Sequence, residues 1–542
     1  MKAIAASFLI FTGMSVGGAG AATDADVIVY GSTSGAVIAA VQASKEGKSV
    51  ILVAPEGHLG GLSASGLGWA DVGKVSLIGG LSREFFHRVW LHYHDPSAWD
   101  GGVAPAMVRA QTTVGRDDVH QLMYVFEPKV AEAVFNQFIE ENHIRVVHGR
   151  LDLRDGVVKA GKHITGLRIE DGQMLAGKMF IDASYEGDLM AKAGVSYTLG
   201  REASSQYGEN LNGLQVRLAT QNQLPGGIDQ YVTKGDAGSG LLPGVNPPTT
   251  EADGAGDRRI QAYCYRMCLT NDPENRVAIP KPDDYREENY ELLFRAIEAG
   301  GKGPFLKMDP VPNHKTDTNN SGGISTDYIG MNYDYPEADY STREKIAEAH
   351  KAWQLGLLWT LQHSERVPAK MRAYYSKWGL ANDEFADNGH WPYDLYIRES
   401  RRMVGDYVLT EAVLTQGLPV ERPVGIGSYT MDSHNVQRLV GADGMVHNEG
   451  DVQKPVKGPY QIDYGVLLPK RRECDNLLVP FCISGTHIAF GSVRMEPVFM
   501  ILSESAASAA GIALDDKVAV QDVRYEKLRA RLDAEGQELE VK

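Results

Sequence analysis

An apolar run that ends in a glycine and turns at once into an alanine-rich helix constrains this chain more than any other feature. Asp26–Val27–Ile28–Val29–Tyr30 reads as a buried strand, and Gly31 closes it. Ser32–Thr33–Ser34–Gly35–Ala36 then opens a helix through Val37, Ile38, Ala39 and Ala40 that ends near Glu46–Gly47, and a second apolar run, Ser49–Val50–Ile51–Leu52–Val53, follows. Strand, tight turn, helix and strand within about 30 residues form the unit that seats a dinucleotide pyrophosphate on a helix N-terminus. There, free backbone N–H groups and the positive end of the helix dipole favour an anion. Gly31 permits the turn, and Gly35 and Ala36 let the helix approach the strand closely. Thr33 stands where the dinucleotide fingerprint carries its second glycine, and a βα turn that holds nothing would share the pattern.

The first residues predict a targeting segment, residues 1–22. Lys2 supplies a positive start, Ile4 to Val16 a short apolar core, and Ala19–Gly20–Ala21 a small-residue cleavage site, with Ala22 as a near alternative. The expectation is a periplasmic or secreted protein. The remaining 520 or so residues exceed one hydrophobic core, so two domains, which can interleave, are expected. A net charge of −16 without a basic stripe offers no footprint for nucleic acid and disfavours anionic membranes. No later run is expected to reach the ~20 apolar residues of a membrane span. Cys264 and Cys268 sit four apart in an extended-looking segment, too far to bridge directly. The cysteines read as ordinary buried thiols, with Cys474 or Cys482 open to a disulfide, and no second Cys or His pair stands at metal-ligand spacing, so no metal is expected.

Along the chain the style of the sequence changes twice. Residues 23–200 carry the first βαβ unit, a helix from Glu127–Pro128 with Val130, Val134, Phe135, Phe138 and Ile139 at helical spacing, and a strand His143–Val147. A β-rich section with turns at Gly156 and Gly172 runs to Lys178–Asp182. Residues 201–422 mix Gly/Pro-rich loops with amphipathic helices: one from Ser341–Thr342 carrying Ile346, Ala349, Trp353, Leu357 and Leu361, another from about Tyr396 to Leu414. This part reads as an inserted domain. Residues 423–512 return to the first style, with a short strand Asn476–Pro480 and an Ala/Ser-rich helix from Glu496. Pro497 fits that helix's first turn. Residues 513–542 end in a charged helix, Tyr525 to Glu535, expected on the surface.

The chain resembles the FAD-dependent oxidoreductase family whose members often accompany polysaccharide-degrading enzymes, some of them labelled xanthan lyases. The segments that carry the resemblance are Gly31–Ala36, His58–Leu59–Gly60–Gly61–Leu62–Ser63 with Gly66–Asp71, Phe180–Asp188 running into Gly200–Glu202, Tyr429–Asn435, and Asn476–Pro497. It implies an α/β fold: a glutathione-reductase-like Rossmann FAD-binding domain with an inserted α+β substrate domain, and FAD as cofactor. It places Gly31, Thr33, Ser34, Gly35 and Ala36 at the pyrophosphate, and His58, Leu59, Gly60, Gly61, Leu62 and Ser63 along the phosphates and flavin. Ala183 and Ser184 should pass the cofactor through backbone atoms. Gly491, Arg494 and Met495 form a turn facing the flavin pyrimidine, where Arg494 adds positive charge. The acidic residue expected at the end of the second strand, for the adenosine ribose, is Ala54, so Glu56 is the nearest substitute. Asp188 is expected to cap a helix, and Asp182 is either a turn residue or a cofactor contact.

Oxidation of a C–H bond by a flavin usually needs a group that takes a proton from the substrate. His487, in what reads as a loop before the flavin-facing turn, is the first candidate. His434 is the second, with Asp432 placed to orient an imidazole. Arg398, Arg401 and Arg402 either recognise an anionic sugar acid or pair with Glu399, Asp406 and other carboxylates, the second being the simpler reading. Tyr185 and Glu186 follow the Asp182 strand toward the site, and Trp69, Trp353 and Trp391 either stack on a sugar or pack the core. The partners expected are a small-molecule substrate, carbohydrate-derived or an amine, and an electron acceptor the sequence does not specify. A polysaccharide lyase or hydrolase would leave the dinucleotide motifs without a purpose. A cofactor-free binding protein on the same scaffold would account for Thr33 and Ala54.

Overall fold

A computed structural model describes residues 24–100, 109–110 and 113–541. The predicted targeting segment, residues 1–22, lies outside them. The first βαβ unit forms as its sequence dictates: β1 (Ala25–Tyr30), α1 (Ser34–Lys45) and β2 (Val50–Ala54). β1 is buried along nearly its whole length, and so is α1 from Ser34 to Ala43, so neither shows the one-sided stripe of a surface element. α2 (Pro128–Glu141) starts on the proline and buries Val130, Val134, Phe135 and Phe138. It leads into β3 (Arg145–His148). β4 (Val157–Ala160), β5 (His163–Arg168) and β6 (Met174–Asp182) follow. Gly172 turns β5 into β6, whereas the β4–β5 hairpin turns at Gly161 and Gly156 lies ahead of it.

These strands make one sheet in the order β3–β2–β1–β6–β5–β4, parallel from β3 to β6 and antiparallel beyond. Ile28 of β1 lies between Ile51 and Phe180, which fixes the register at the centre of an apolar layer. A second, five-stranded antiparallel sheet is built by the middle of the chain: β7 (Met267–Thr270), β8 (Arg276–Val277), β9 (Leu306–Val311), β10 (Lys315–Asn320) and β11 (Gly379–Ala381). Their order is β8–β11–β7–β10–β9. α3 (Tyr340–His363) packs in the same region through Trp353, Leu357 and Leu361, while Ala349 faces solvent.

The chain then returns to the first sheet. β12 (Leu477–Leu478) pairs parallel with Phe180 and Ile181 of β6. α4 (His487–Val493) and α5 (Glu496–Asp516) follow. α5 is long and apolar enough to cross a membrane by length and composition, contrary to the sequence expectation, but 94% of its most apolar window is buried inside the protein. It packs on α1: a Cβ on Gly35 would collide with the Ser503 hydroxyl of α5, so that glycine sets how closely the two helices meet. α6 (Tyr525–Ala534) is less exposed than its charge implied, because Leu528 and Leu532 are fully buried in the main core.

One further expectation, a helix from about Tyr396 to Leu414, is corrected. No helix spans Tyr396–Leu414; residues 397–401 are irregular, Arg402–Met403 is a short strand, and only Glu411–Gln416 is helical. Buried arginines there need carboxylates on different neighbours, and non-helical backbone distributes them where one helical face would not. All four cysteines are free and buried, including Cys474 and Cys482.

Candidate functional site

The C-terminal ends of β1, β2 and β6 open on a cleft of about 250 Å³. Ser32, Thr33, Glu56, Gly61 and Ser184 line its nucleotide-fold side, and Tyr265, Trp391, Asp394 and α3 line the other. Gly31 has φ +138°, and a Cβ there would stand 2.5 Å from the Ala183 carbonyl oxygen. The turn therefore runs against β6 with no room for a side chain. Thr33 caps α1: its hydroxyl accepts the Ala36 N–H at 3.1 Å and donates to the Ala183 carbonyl at 2.7 Å. The threonine in place of the second fingerprint glycine thus ties the turn to β6. Ser34 and Ala36 begin α1 behind it.

Glu56 borders the cleft two residues past β2, where burial pushes its pKa up, and its N–H is held by the Ser32 hydroxyl at 3.0 Å. The Gly60 and Gly61 N–H groups both donate to the Ser32 carbonyl, at 2.8 and 3.1 Å, which lays the glycine loop across the turn. His58 does not line the cleft: it stacks on Tyr393 at 3.5 Å and pairs with Glu132 and Asp387. Leu59 and Leu62 are core residues. Asp182, pushed to about 6 by burial, accepts from Ser184 and from the Met190 N–H, so its carboxyl group satisfies the first turn of the short helix Asp188–Lys192. Asp188, expected in that role, instead pairs with Arg343 and Arg401. Burial also pushes Glu186, another cleft residue, to about 7.

A second constellation lies deeper. Tyr185 and Ile397 line both the cleft and a small inner cavity bounded by Tyr396, Arg398, Arg494 and Glu496. Arg266, Arg398 and Arg494 surround the Tyr396 ring at 5.6, 4.7 and 5.9 Å from its centroid. Each is matched by a carboxylate: Asp317, Asp327 and Asp432 respectively. Arg494 also donates to the Tyr396 hydroxyl at 2.9 Å. His434 bridges two of these acids, with Nδ1 3.0 Å from Asp327 and Nε2 3.6 Å from Asp432. Burial and Arg398 oppose its charge, yet Asp327 and Asp432 raise its pKa. Burial raises the Asp432 carboxyl, but His434, then Arg494 and Arg398, hold it well below the usual range.

The four catalytic candidates from sequence come together here in altered settings. His487 is the first residue of α4, not a loop residue, because Thr486 caps the helix ahead of it. Its Nδ1 lies 2.7 Å from Glu399 and its Nε2 3.0 Å from the Ser433 hydroxyl, so both ring nitrogens are engaged. Gly491 belongs to the same helix and packs on Asp432, leaving Arg494–Met495 as the turn into α5. Arg401 and Arg402 are ion-pair residues, on Asp188 and on Glu202 and Glu399. Trp69 and Trp353 pack in the core, while Trp391 borders the cleft. Tyr396, Arg266 and Asp327 escaped the sequence reading. They come from three separated segments, and no local spacing marks them.

The chain matches the family described as FAD dependent oxidoreductase over residues 26–532. No curated protein matches it. Solved structures are similar over about a third of the chain. One is CabE, an aromatic hydroxylase from angucycline biosynthesis (15% identity, 33% of this chain and 35% of that one, TM-score 0.24). Others are L-proline dehydrogenase from P.horikoshii (13%, 33% and 58%, 0.23) and Thermovibrio ammonificans THI4 (17%, 33% and 66%, 0.22). The chain spans from about a third to two thirds of the length of these structures, and likenesses this local carry no weight of their own. The strand order, the Gly31 turn and the family match agree: this chain belongs to the FAD-dependent oxidoreductases, with a Rossmann-type fold and FAD as its cofactor.

Proposed function

We propose that this protein is an exported oxidoreductase that takes a hydride from a small polar substrate, carbohydrate-derived or an amine, beside the Tyr396–Arg494–His434 cluster. The carrying observation is the convergence of Arg494, Asp432, His434 and Tyr396 at the start of α5. Bound FAD supplies the two-electron acceptor. Ser32, Thr33, Gly61 and Ser184 would hold its phosphates and Glu56 its adenosine ribose, which fits the cleft they line. The positive end of α5 and Arg494 favour negative charge beside them. The middle segment, residues 201–422, supplies Tyr396, Arg398 and Arg266, and so the substrate wall.

His434 is the proposed proton acceptor. Its Nε2 faces Asp432 at 3.6 Å, too long for a hydrogen bond, whereas both nitrogens of His487 are within bonding distance of partners. His487 is a positioning residue: through Ser433 it fixes the strand Met431–Ser433, which carries Asp432 and leads into His434. His434→Ala should keep its flavin spectrum and slow anaerobic flavin reduction by substrate about 10²–10⁴-fold, the usual contribution of a general base. Reduction at the wild-type rate would remove His434 from the reaction. Export rests on residues 1–22, and exported protein whose N-terminal sequence starts at Met1 would overturn it.

A further inference from the structure

Glu496 is an acid buried behind the N-terminus of α1, on the inner-cavity side of the turn that an anion must approach from the cleft. It is the first residue of α5 and 5% exposed. Its Oε2 accepts from the Ser34 hydroxyl at 2.5 Å, at the first residue of α1, and its Oε1 accepts from the Tyr185 hydroxyl at 2.6 Å. The Tyr185 oxygen in turn accepts the Leu62 N–H at 3.0 Å. One carboxyl group therefore links the three segments that border the cofactor cleft: the α1 turn, the Gly60–Ser63 loop and the end of β6. Its partners are hydroxyls rather than cations.

We propose that Glu496 gates FAD loading by its own protonation: the neutral acid admits the cofactor's dianionic pyrophosphate at the N-terminus of α1, and the carboxylate repels it. Two anions sharing one helix end in a poorly hydrated site repel strongly, and the helix dipole cannot favour both fully. Burial pushes the Glu496 carboxyl up to about 7, against the hydrogen bonds from Ser34, Tyr185 and Ser63. The protonated form thus dominates in mildly acidic solution and is lost as pH rises. The other groups facing it are Asp394 across the cleft, whose own carboxyl burial holds high, and Arg398, Glu399 and Arg494 around the inner cavity. Glu56 and Glu186 line the cleft as well, and burial raises both carboxyls.

The inference rests on the pyrophosphate lying at the Gly31–Ser34 turn. FAD binding to the full-length apoprotein, followed by quenching of flavin fluorescence from pH 5.5 to 9, tests it without activity. The dissociation constant of the wild type should rise about tenfold per pH unit above pH 7. Glu496→Gln should flatten that slope, and Asp394→Asn should keep it. In the wild type alone, calorimetry in buffers of different ionisation heat should show uptake of close to one proton per FAD bound at pH 8 and almost none at pH 6. A flat wild-type profile, an unchanged slope in Glu496→Gln, a slope lost in Asp394→Asn, or no proton uptake at pH 8 each overturns the gate. Full FAD affinity in Gly31→Val would instead overturn the placement of the pyrophosphate on which the gate depends.

Discussion

Thr33 makes plain what a single side chain does to a nucleotide-binding turn. A glycine at this position frees backbone to approach a phosphate. The threonine gives up that freedom and bonds the turn to the Ala183 carbonyl while capping α1. The turn stays tight because Gly31 takes the conformation that matters. At φ +138° a β-branched residue is strained, and its Cβ would collide with the Ala183 carbonyl. Gly31→Val should therefore purify without flavin absorbance while retaining most of its far-ultraviolet circular dichroism. Full flavin occupancy in that variant would remove the turn from the cofactor site. Gly31 made the tight turn legible, and the cofactor role came from the resemblance. The compensation by Thr33 was not legible, because its acceptor stands 150 residues away.

Among the elements, those with a strong local period were legible and those held by charge were not. β1, α1, β2, α2, α3 and α5 follow from apolar runs, an opening proline or a capping residue, all of which act within one turn of chain. The segment from Tyr396 to Arg402 misleads because its arginines stand at helical spacing, yet each buried guanidinium reaches at least one carboxylate outside the segment. Arg398 bonds Asp327, Arg401 bonds Asp188, and Arg402 bonds Glu202 and Glu399. Removing such a partner would strand a buried charge, so tertiary ion pairing outweighs helix propensity here. Lys315 on β10 shows the same logic. Its ammonium donates at 2.6 Å to Glu127, Asp383 and Glu384, so a trio of acids with the spacing of a metal site closes on a lysine. His487 misleads in the opposite direction: Thr486 turns an apparent loop into a capped helix and leaves the imidazole engaged on both sides.

At the scale of the whole molecule, the cofactor joins parts of the chain that synthesis separates widely. The Gly31 turn and the Arg494–Glu496 turn belong to opposite ends of the sequence, and β12 reaches β6 only after the middle segment is complete. The middle segment is tied in as well: Arg343 of α3 forms a two-pronged pair with Asp188, just past β6, and α3 borders the cleft. FAD that binds only the native arrangement should therefore stabilise both parts together. At a free concentration 100 times its dissociation constant it contributes about 2.7 kcal/mol. The expected result is a thermal midpoint that rises with FAD concentration, with amide exchange slowing in α3 as well as in α1. The gain should shrink above pH 7, where ionised Glu496 weakens binding, and vanish in Gly31→Val. If flavin slowed exchange in α1 while α3 exchanged at an unchanged rate, the middle segment would be an independent unit. The Arg343–Asp188 pair would then be a surface contact between neighbours rather than a coupling between them.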